Sequence, residues 1–302
     1  MATFSNWIQA FRLRTLPLSA SVILAGASLI YIPVVFEWQV FVLCLTTTFS
    51  LQILSNLAND YGDFSSGTDN AERIGPKRTM QQGFITVSQM KMALLIFILL
   101  SLVSGIGLLL TAFNLDELKK VGLFFGLGIV CIAAAIKYTV GKSAYGYRGL
   151  GDIAVFLFFG IVGVLGSAYL YVHLFRSEFI LVAVCFGLLS AAVLNVNNMR
   201  DHVNDKQHNK NTLVVKIGLP TARVYHVVIV FIALCCLTGY AILTAHSWKE
   251  YFFLAIFPLL IYDAIRLLRI ESEKMDPFLK RTAIFTFLLS VLFFIGKIIS
   301  FY

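Results

Sequence analysis

Charge is what this sequence has least of. Only 13% of its 302 residues are Asp, Glu, Lys or Arg, where a soluble domain carries roughly 25%. That deficit excludes a chain bathed in water on all sides. Cysteine is scarce as well, and poorly placed for chemistry. Cys44, Cys131, Cys185, Cys235 and Cys236 all fall inside apolar runs, away from histidine or a second cysteine at ligand spacing. No zinc site and no disulfide framework is indicated, and the five read as small core residues. A continuous solvated basic face is also missing. The net charge is +8, but the lysines and arginines sit in short segments between apolar runs. A membrane surface or an anionic substrate is therefore the expected partner, and nucleic acid is not.

What the chain has in quantity is long apolar runs. Hydrophobic residues make up 59% of it and the mean hydropathy is +0.84. A bilayer core needs about 20 apolar residues in a helix. Nine stretches qualify: 16–36, 40–57, 92–113, 121–136, 153–172, 179–196, 224–245, 251–268 and 282–301. The eighth is the weakest, because Asp263 and Arg266 interrupt it. Lys297, near the end of the last, is placed to snorkel to the interface. The first run continues past any small-residue cleavage point, so it reads as a retained span and not a signal peptide. Ahead of it, Phe4, Trp7, Ile8 and Phe11 recur at helical spacing and predict an interfacial helix.

The basic residues give the orientation. Of the 24 lysines and arginines, Lys119, Lys120, Arg176 and Lys249 fall on one side of such a bundle and Lys297 in a span. The others share the side of the N-terminus and of the even-numbered connections. The positive-inside rule puts that side in the cytoplasm, in a multi-pass protein of the cell (inner) membrane.

Two acidic clusters stand out, at the cytoplasmic ends of the second and sixth spans. Asn56, Asn59, Asp60 and Asp63 lie at i, i+3, i+4 and i+7, on one helix stripe, with Asp69 beyond. Asn197, Asp201 and Asp205 form a second stripe, with Asn198 and Arg200 beside it. The clusters are four spans apart, in the same order and on the same side. That spacing points to an internal four-helix duplication, roughly 16–150 and 151–302, within one intramembrane domain, with a site at the repeat interface. Aspartates converging on one cavity repel by about 4 kcal/mol per pair at 4 Å and an effective dielectric near 20, so they call for a cation. Hard oxygen donors favour Mg²⁺, whose shell substrate phosphates complete. Arg73, Lys77, Arg78, Lys137 and Lys210, with Lys142 and Arg148, are placed to meet diphosphate oxygens or those aspartates.

These residues carry a resemblance. The run Asn56-Leu-Ala-Asn59-Asp60-Tyr-Gly-Asp63-Phe-Ser-Ser-Gly67-Thr-Asp69, followed by Arg73 to Arg78, resembles the first motif of the UbiA superfamily of intramembrane prenyltransferases. Leu194-Asn-Val-Asn197-Asn198-Met-Arg200-Asp201 through Asp205 to Lys210 is similar to the second. Arg14-Thr15-Leu16-Pro17, Lys137-Tyr138-Thr139 and the Tyr145-to-Asp152 loop extend the likeness over nearly the whole chain. Asn209 and Ala144 depart from the pattern, where a glycine and a proline are expected, and bear only on loop geometry.

The resemblance implies an all-α bundle of about nine transmembrane helices around a central cavity with a cytoplasmic cap. It implies that Asn59, Asp63, Asp201 and Asp205 hold Mg²⁺, with Asp60 and Asp69 in or near the shell. Asn56 and Asn59 then act in catalysis with the aspartates. Asp69, Arg73, Lys77, Arg78, Lys137, Tyr138, Asp152, Asn197, Asn198, Arg200 and Lys210 bind substrate, although Lys137 could equally bridge Asp152. The implied partners are a polyprenyl diphosphate, 1,4-dihydroxy-2-naphthoate and the lipid bilayer, with no obligate protein partner. The implied reaction releases CO₂ and diphosphate and gives demethylmenaquinone. Another acceptor such as 4-hydroxybenzoate is the alternative. A transporter is more distant, because its ionisable residues would lie well inside the spans.

Overall fold

The computed structural model describes residues 2–30, 36–68, 77–114, 116–141 and 143–300, and those residues hold helices and turns with no strand. Eleven helices organise them. The short α1 (Phe4–Phe11) precedes α2 (Leu16–Ala27), α3 (Trp38–Ser65), α4 (Val87–Ala112) and α5 (Leu118–Lys137). Then come α6 (Gly151–Val172), α7 (Phe179–Gln207) and the short α8 (Leu213–Ile217). The chain ends in α9 (Leu219–Thr244), α10 (Phe257–Leu267) and α11 (Asp276–Ile299).

The helix starts follow local chemistry. Four of the six prolines, Pro17, Pro220, Pro258 and Pro277, stand in the first turns of α2, α9, α10 and α11, where the missing N–H costs nothing. Thr86 and Gln89 close a reciprocal capping box on α4. Thr3 and Thr212 accept backbone N–H groups at the starts of α1 and α8. The middle of α6 (Phe156–Gly166) is π-helical, wound more loosely than an α-helix, and its Gly160 packs against α7. A Cβ on Gly160 would lie 2.5 Å from the Ala183 carbonyl oxygen, so only glycine permits that approach.

Seven described helices are long and apolar enough to cross a membrane, and the protein is a multi-pass membrane protein. Nine were expected. The expected first span is the 12-residue α2, and its last residues lie outside those described. The expected eighth is split: a 3₁₀ stretch (Trp248–Ile256) runs into the 11-residue α10 at Pro258. Proline there ends any earlier helical register and begins a new one.

Burial separates the spans. None of the apolar window of α5 is buried, against 72% for α7, which makes α7 the central post. The largest core surrounds α7, where Phe186, Leu189, Val230, Leu237, Phe253 and Phe293 interlock. A second core lies below the end of α7 that carries Asp201, with Val196, Met199, Val214, Leu267 and Met275. Amphipathic α1 lies against α3 and the start of α4, Ala10 packing with Leu57, Met80 and Met90.

Two expectations about single residues gain detail. Lys297, expected to reach the interface, pairs with buried Glu250 and sits 5.2 Å over the Tyr240 ring. The cysteines are free, but only Cys44 and Cys185 are buried, and Cys235 is exposed on an outward face of α9. In an apolar helix an outward face meets lipid, so periodicity cannot tell that face from core.

Candidate active site

Both acidic stripes end at the same end of the bundle. On α3, Gly62 lets the helix touch the turn after α5, where a Cβ would lie 2.6 Å from the Thr139 carbonyl oxygen. The Thr139 hydroxyl lies 3.0 Å from the Ala58 carbonyl oxygen and 3.1 Å from Asn59 Oδ1, which fixes the Asn59 amide. Asn56 is turned toward the N-terminal segment. Its Nδ2 donates to the Phe11 carbonyl at 2.9 Å and to Thr15 Oγ1 at 3.0 Å. Asp60 is buried between Arg12, with which it forms an ion pair, and Arg78 at 3.3 Å.

Asp63 gathers partners from three other segments of the chain. Arg78 Nη1 lies 2.7 Å from it, the Tyr147 hydroxyl donates to it at 2.5 Å, and Lys210 Nζ stands 3.3 Å from both its oxygens. Lys210 also faces Asp205 at 3.9 Å and lies 5.3 Å from the Tyr147 ring centroid. One ammonium therefore bridges the two acidic motifs. Burial opposes its charge, but Asp63 and Asp205 outweigh burial and hold the Lys210 pKa above the usual lysine value. Burial, then the Asp63 carboxylate, pushes the Tyr147 phenol up to about 12, so it remains a hydrogen-bond donor at neutral pH.

The connections are tied to this centre. Asn204 Nδ2 donates to the Thr68 carbonyl at 3.1 Å, and the Asn211 N–H to the Tyr147 carbonyl at 3.1 Å. Asn209 takes φ +55°, the left-handed conformation that asparagine tolerates in place of glycine.

The second motif is arranged differently. Arg200, 1% exposed, donates from Nε and Nη2 to the two oxygens of Asp201 at 2.8 and 2.7 Å. Its Nη2 also meets Asn197 Oδ1 at 2.9 Å, and its Nη1 pairs with Asp276 at the start of α11.

A cavity of about 400 Å³ opens beneath this cluster. Arg12, Asn59, Asp63, Arg78, Asn198 and Lys210 form its polar end, with Asn56, Asn197 and Tyr138 beside them. Val22, Leu108, Phe124, Ile132, Phe158 and Leu170 continue it as an apolar channel toward the far end of the bundle. Asp60, Asp201 and Asp205 stand behind this wall and not on it. Asp152 is buried near Tyr225, whose hydroxyl lies 3.4 Å away, and that tyrosine replaces the bridge to Lys137 open in the sequence reading. Lys137 and Lys77 are exposed and outside the lining. Asp69, Arg73 and Lys142 fall outside the described residues.

Four contributors escaped the sequence reading. Arg12 reads as a membrane-side charge until it meets Asp60. Tyr147 and Thr139 lie inside segments that resemble the family, but their partners are more than 75 positions away. Asp276 has no local signal at all.

The oxygen donors suit a hard divalent cation, and the Lys210 ammonium between Asp63 and Asp205 shows that their common ground accepts a positive charge. Among the described residues, no three of His, Cys, Asp or Glu already enclose an ion position. The set fits such an ion by the chemistry of its donors.

Known proteins resemble this chain along most of its length. A profile described as the UbiA prenyltransferase family matches residues 19–295. A Haemophilus influenzae protein named 1,4-dihydroxy-2-naphthoate octaprenyltransferase is 43% identical, over 97% of this chain and 96% of its own length. The Escherichia coli protein of that name is also 43% identical, over 97% and 95%. Among solved structures, a UbiA homolog from Archaeoglobus fulgidus bound to GPP and Mg²⁺ aligns with a TM-score of 0.69. It is 16% identical, and the alignment covers 98% of this chain and 99% of that one, which establishes a common fold.

Proposed function

The chain belongs to the UbiA prenyltransferase family, and on that premise we propose that it prenylates 1,4-dihydroxy-2-naphthoate with a polyprenyl diphosphate, releasing diphosphate and CO₂ in menaquinone synthesis. The observation that carries this reading is the junction of a buried carboxylate–cation cluster with a long apolar cavity. Such a cavity suits a molecule with a polyanionic head and a hydrocarbon tail.

Asn59, Asp63, Asp201 and Asp205 would hold Mg²⁺. When bound, the ion supplies Lewis-acid neutralisation of the leaving diphosphate. Arg78 and Lys210 bind diphosphate oxygens once Asp63 and Asp205 release them, a role suited to charge-assisted hydrogen bonds. Asn56 and Asp60 brace the N-terminal segment through Thr15 and Arg12, which places two further cavity residues. Asn197 and Arg200 brace Asp201. Asn198, Tyr138 and Asp152 orient the acceptor. The apolar walls hold the tail and keep water from the allylic carbon as its C–O bond breaks. The electron pair of that bond leaves with diphosphate, and the ring carbon bearing the carboxyl group forms the new C–C bond. Loss of CO₂ returns the carboxyl C–C pair to the ring. No oxidant takes part, so the product is the quinol form of demethylmenaquinone.

Carboxyl-labelled naphthoate tests the substrate. Membranes holding the protein should release the label as gas and leave none in the prenylated lipid. Label retained in the lipid, or turnover seen with 4-hydroxybenzoate alone, would overturn the acceptor and leave the fold untouched.

A further inference from the structure

We propose that Asp276 is a positioning residue for the second acidic motif, drawing part of the Arg200 charge away from Asp201 so that Asp201 can serve a divalent cation. The inference rests on the metal-dependent reading above.

Arg200 is buried and makes four side-chain hydrogen bonds from its five N–H groups. Its Nε and Nη2 span both oxygens of Asp201, Nη2 also takes Asn197, and Nη1 alone faces another helix. The partner there is Asp276, in the first turn of α11, 76 positions along the chain. The other Asp276 oxygen lies 3.6 Å from Arg14 Nη1, and Arg14 lines the cavity. One carboxylate thus joins the last helix to the second motif and to the cavity.

The charge balance gives this geometry its consequence. With Asp201 as its sole anionic partner, a buried guanidinium would cancel that carboxylate and leave it a poor cation ligand. Arg200 and Arg14 with Asp201 and Asp276 sum to zero, whereas without Asp276 the same group would carry a net charge of +1 beside Asp201. Asp276 restores the missing negative charge without entering the cavity itself. Asp276 is 38% exposed at its side chain while Arg200 is 1% exposed, so burying this arrangement costs less than burying two carboxylates.

The test compares the purified full-length protein with its Asp276→Asn and Asp276→Glu variants. Melting temperature is followed as Mg²⁺ is added in the presence of inorganic pyrophosphate, and turnover as a function of free Mg²⁺. Asparagine should raise the Mg²⁺ concentration at the midpoint of both curves by about tenfold. Glutamate should restore it to within about twofold of the parent. The naphthoate KM should stay unchanged in both, because Asp276 acts through Arg200 and not on the acceptor. An unchanged midpoint in Asp276→Asn overturns the inference, and so does a glutamate variant that behaves like asparagine. Failure of both variants to fold also overturns it, since the residue is then structural. A parent protein fully active in excess chelator, with no Mg²⁺-dependent melting shift, brings down the metal reading itself. Metal dependence with a normal Asp276→Asn midpoint brings down the Asp276 proposal alone.

Discussion

At the end of α3, Asp60 and Asp63 take their counter-charges from far along the chain: Arg12 before the first span, Arg78 after the loop, and Tyr147 and Lys210 beyond the middle. At the end of α7, Asp201 takes its counter-charge from the adjacent Arg200, and α11 completes the pair. Asp63 lines the cavity and Asp201 stands behind it. The first motif is therefore assembled by tertiary structure and faces the cavity, whereas in the second Asp201 pairs with its own neighbour in the chain and stands behind that wall.

The comparison presumes that both helices end on one side of the membrane, which gives the all-or-none prediction. A cysteine at exposed Ser65 should be shielded from an impermeant thiol reagent in intact cells, and one at half-buried Ser247 should be labelled. The reverse pattern would turn the site to the wrong compartment. Next in size, Asp63→Asn should lower turnover by about 10²–10³-fold, the scale of losing a preorganised group at a developing charge. Its neighbours stay paired, Arg78 with Asp60 and Lys210 with Asp205, so the variant should still fold. Asp201→Asn, the loss of another proposed ion ligand, should cost about as much, 10²–10³-fold. An Asp201→Asn variant with nearly full turnover would remove Asp201 from the proposed ligand set.

Tyr147→Phe removes a 2.5 Å hydrogen bond to Asp63 and should lower kcat by about tenfold, the worth of a hydrogen bond to a charged group. With the tyrosine pKa near 12, the parent's activity should show no step from this phenol between pH 6 and 9. Smallest of all, Asp116→Asn, exposed on the opposite side, should change turnover by less than about twofold. A large effect there would mean that charge loss anywhere harms folding, and the contrast between the motifs would lose its meaning.

The helical class, the membrane habit and the position of both acidic stripes were legible because each rests on local periodicity. A run of apolar residues reports its own length, and i, i+3, i+4, i+7 reports one helix face whatever surrounds it. The split of the eighth span was half legible: Asp263 and Arg266 weakened it, but the break itself falls earlier, at Pro258. The partner of Lys297 was not legible, because Glu250 lies 47 positions earlier, in another segment. The same distance hid Asp276 from Arg200 and Tyr147 from Asp63.

By itself, then, the sequence determined that this chain crosses the membrane repeatedly and presents two oxygen-rich helix ends. Hydropathy and helical spacing are properties of consecutive residues and survive without any fold. Only the tertiary structure decided which cation neutralises which aspartate, and which carboxylate faces the cavity. Electrostatic energy depends on separations of a few ångströms between groups far apart in the chain, and no local pattern encodes those distances.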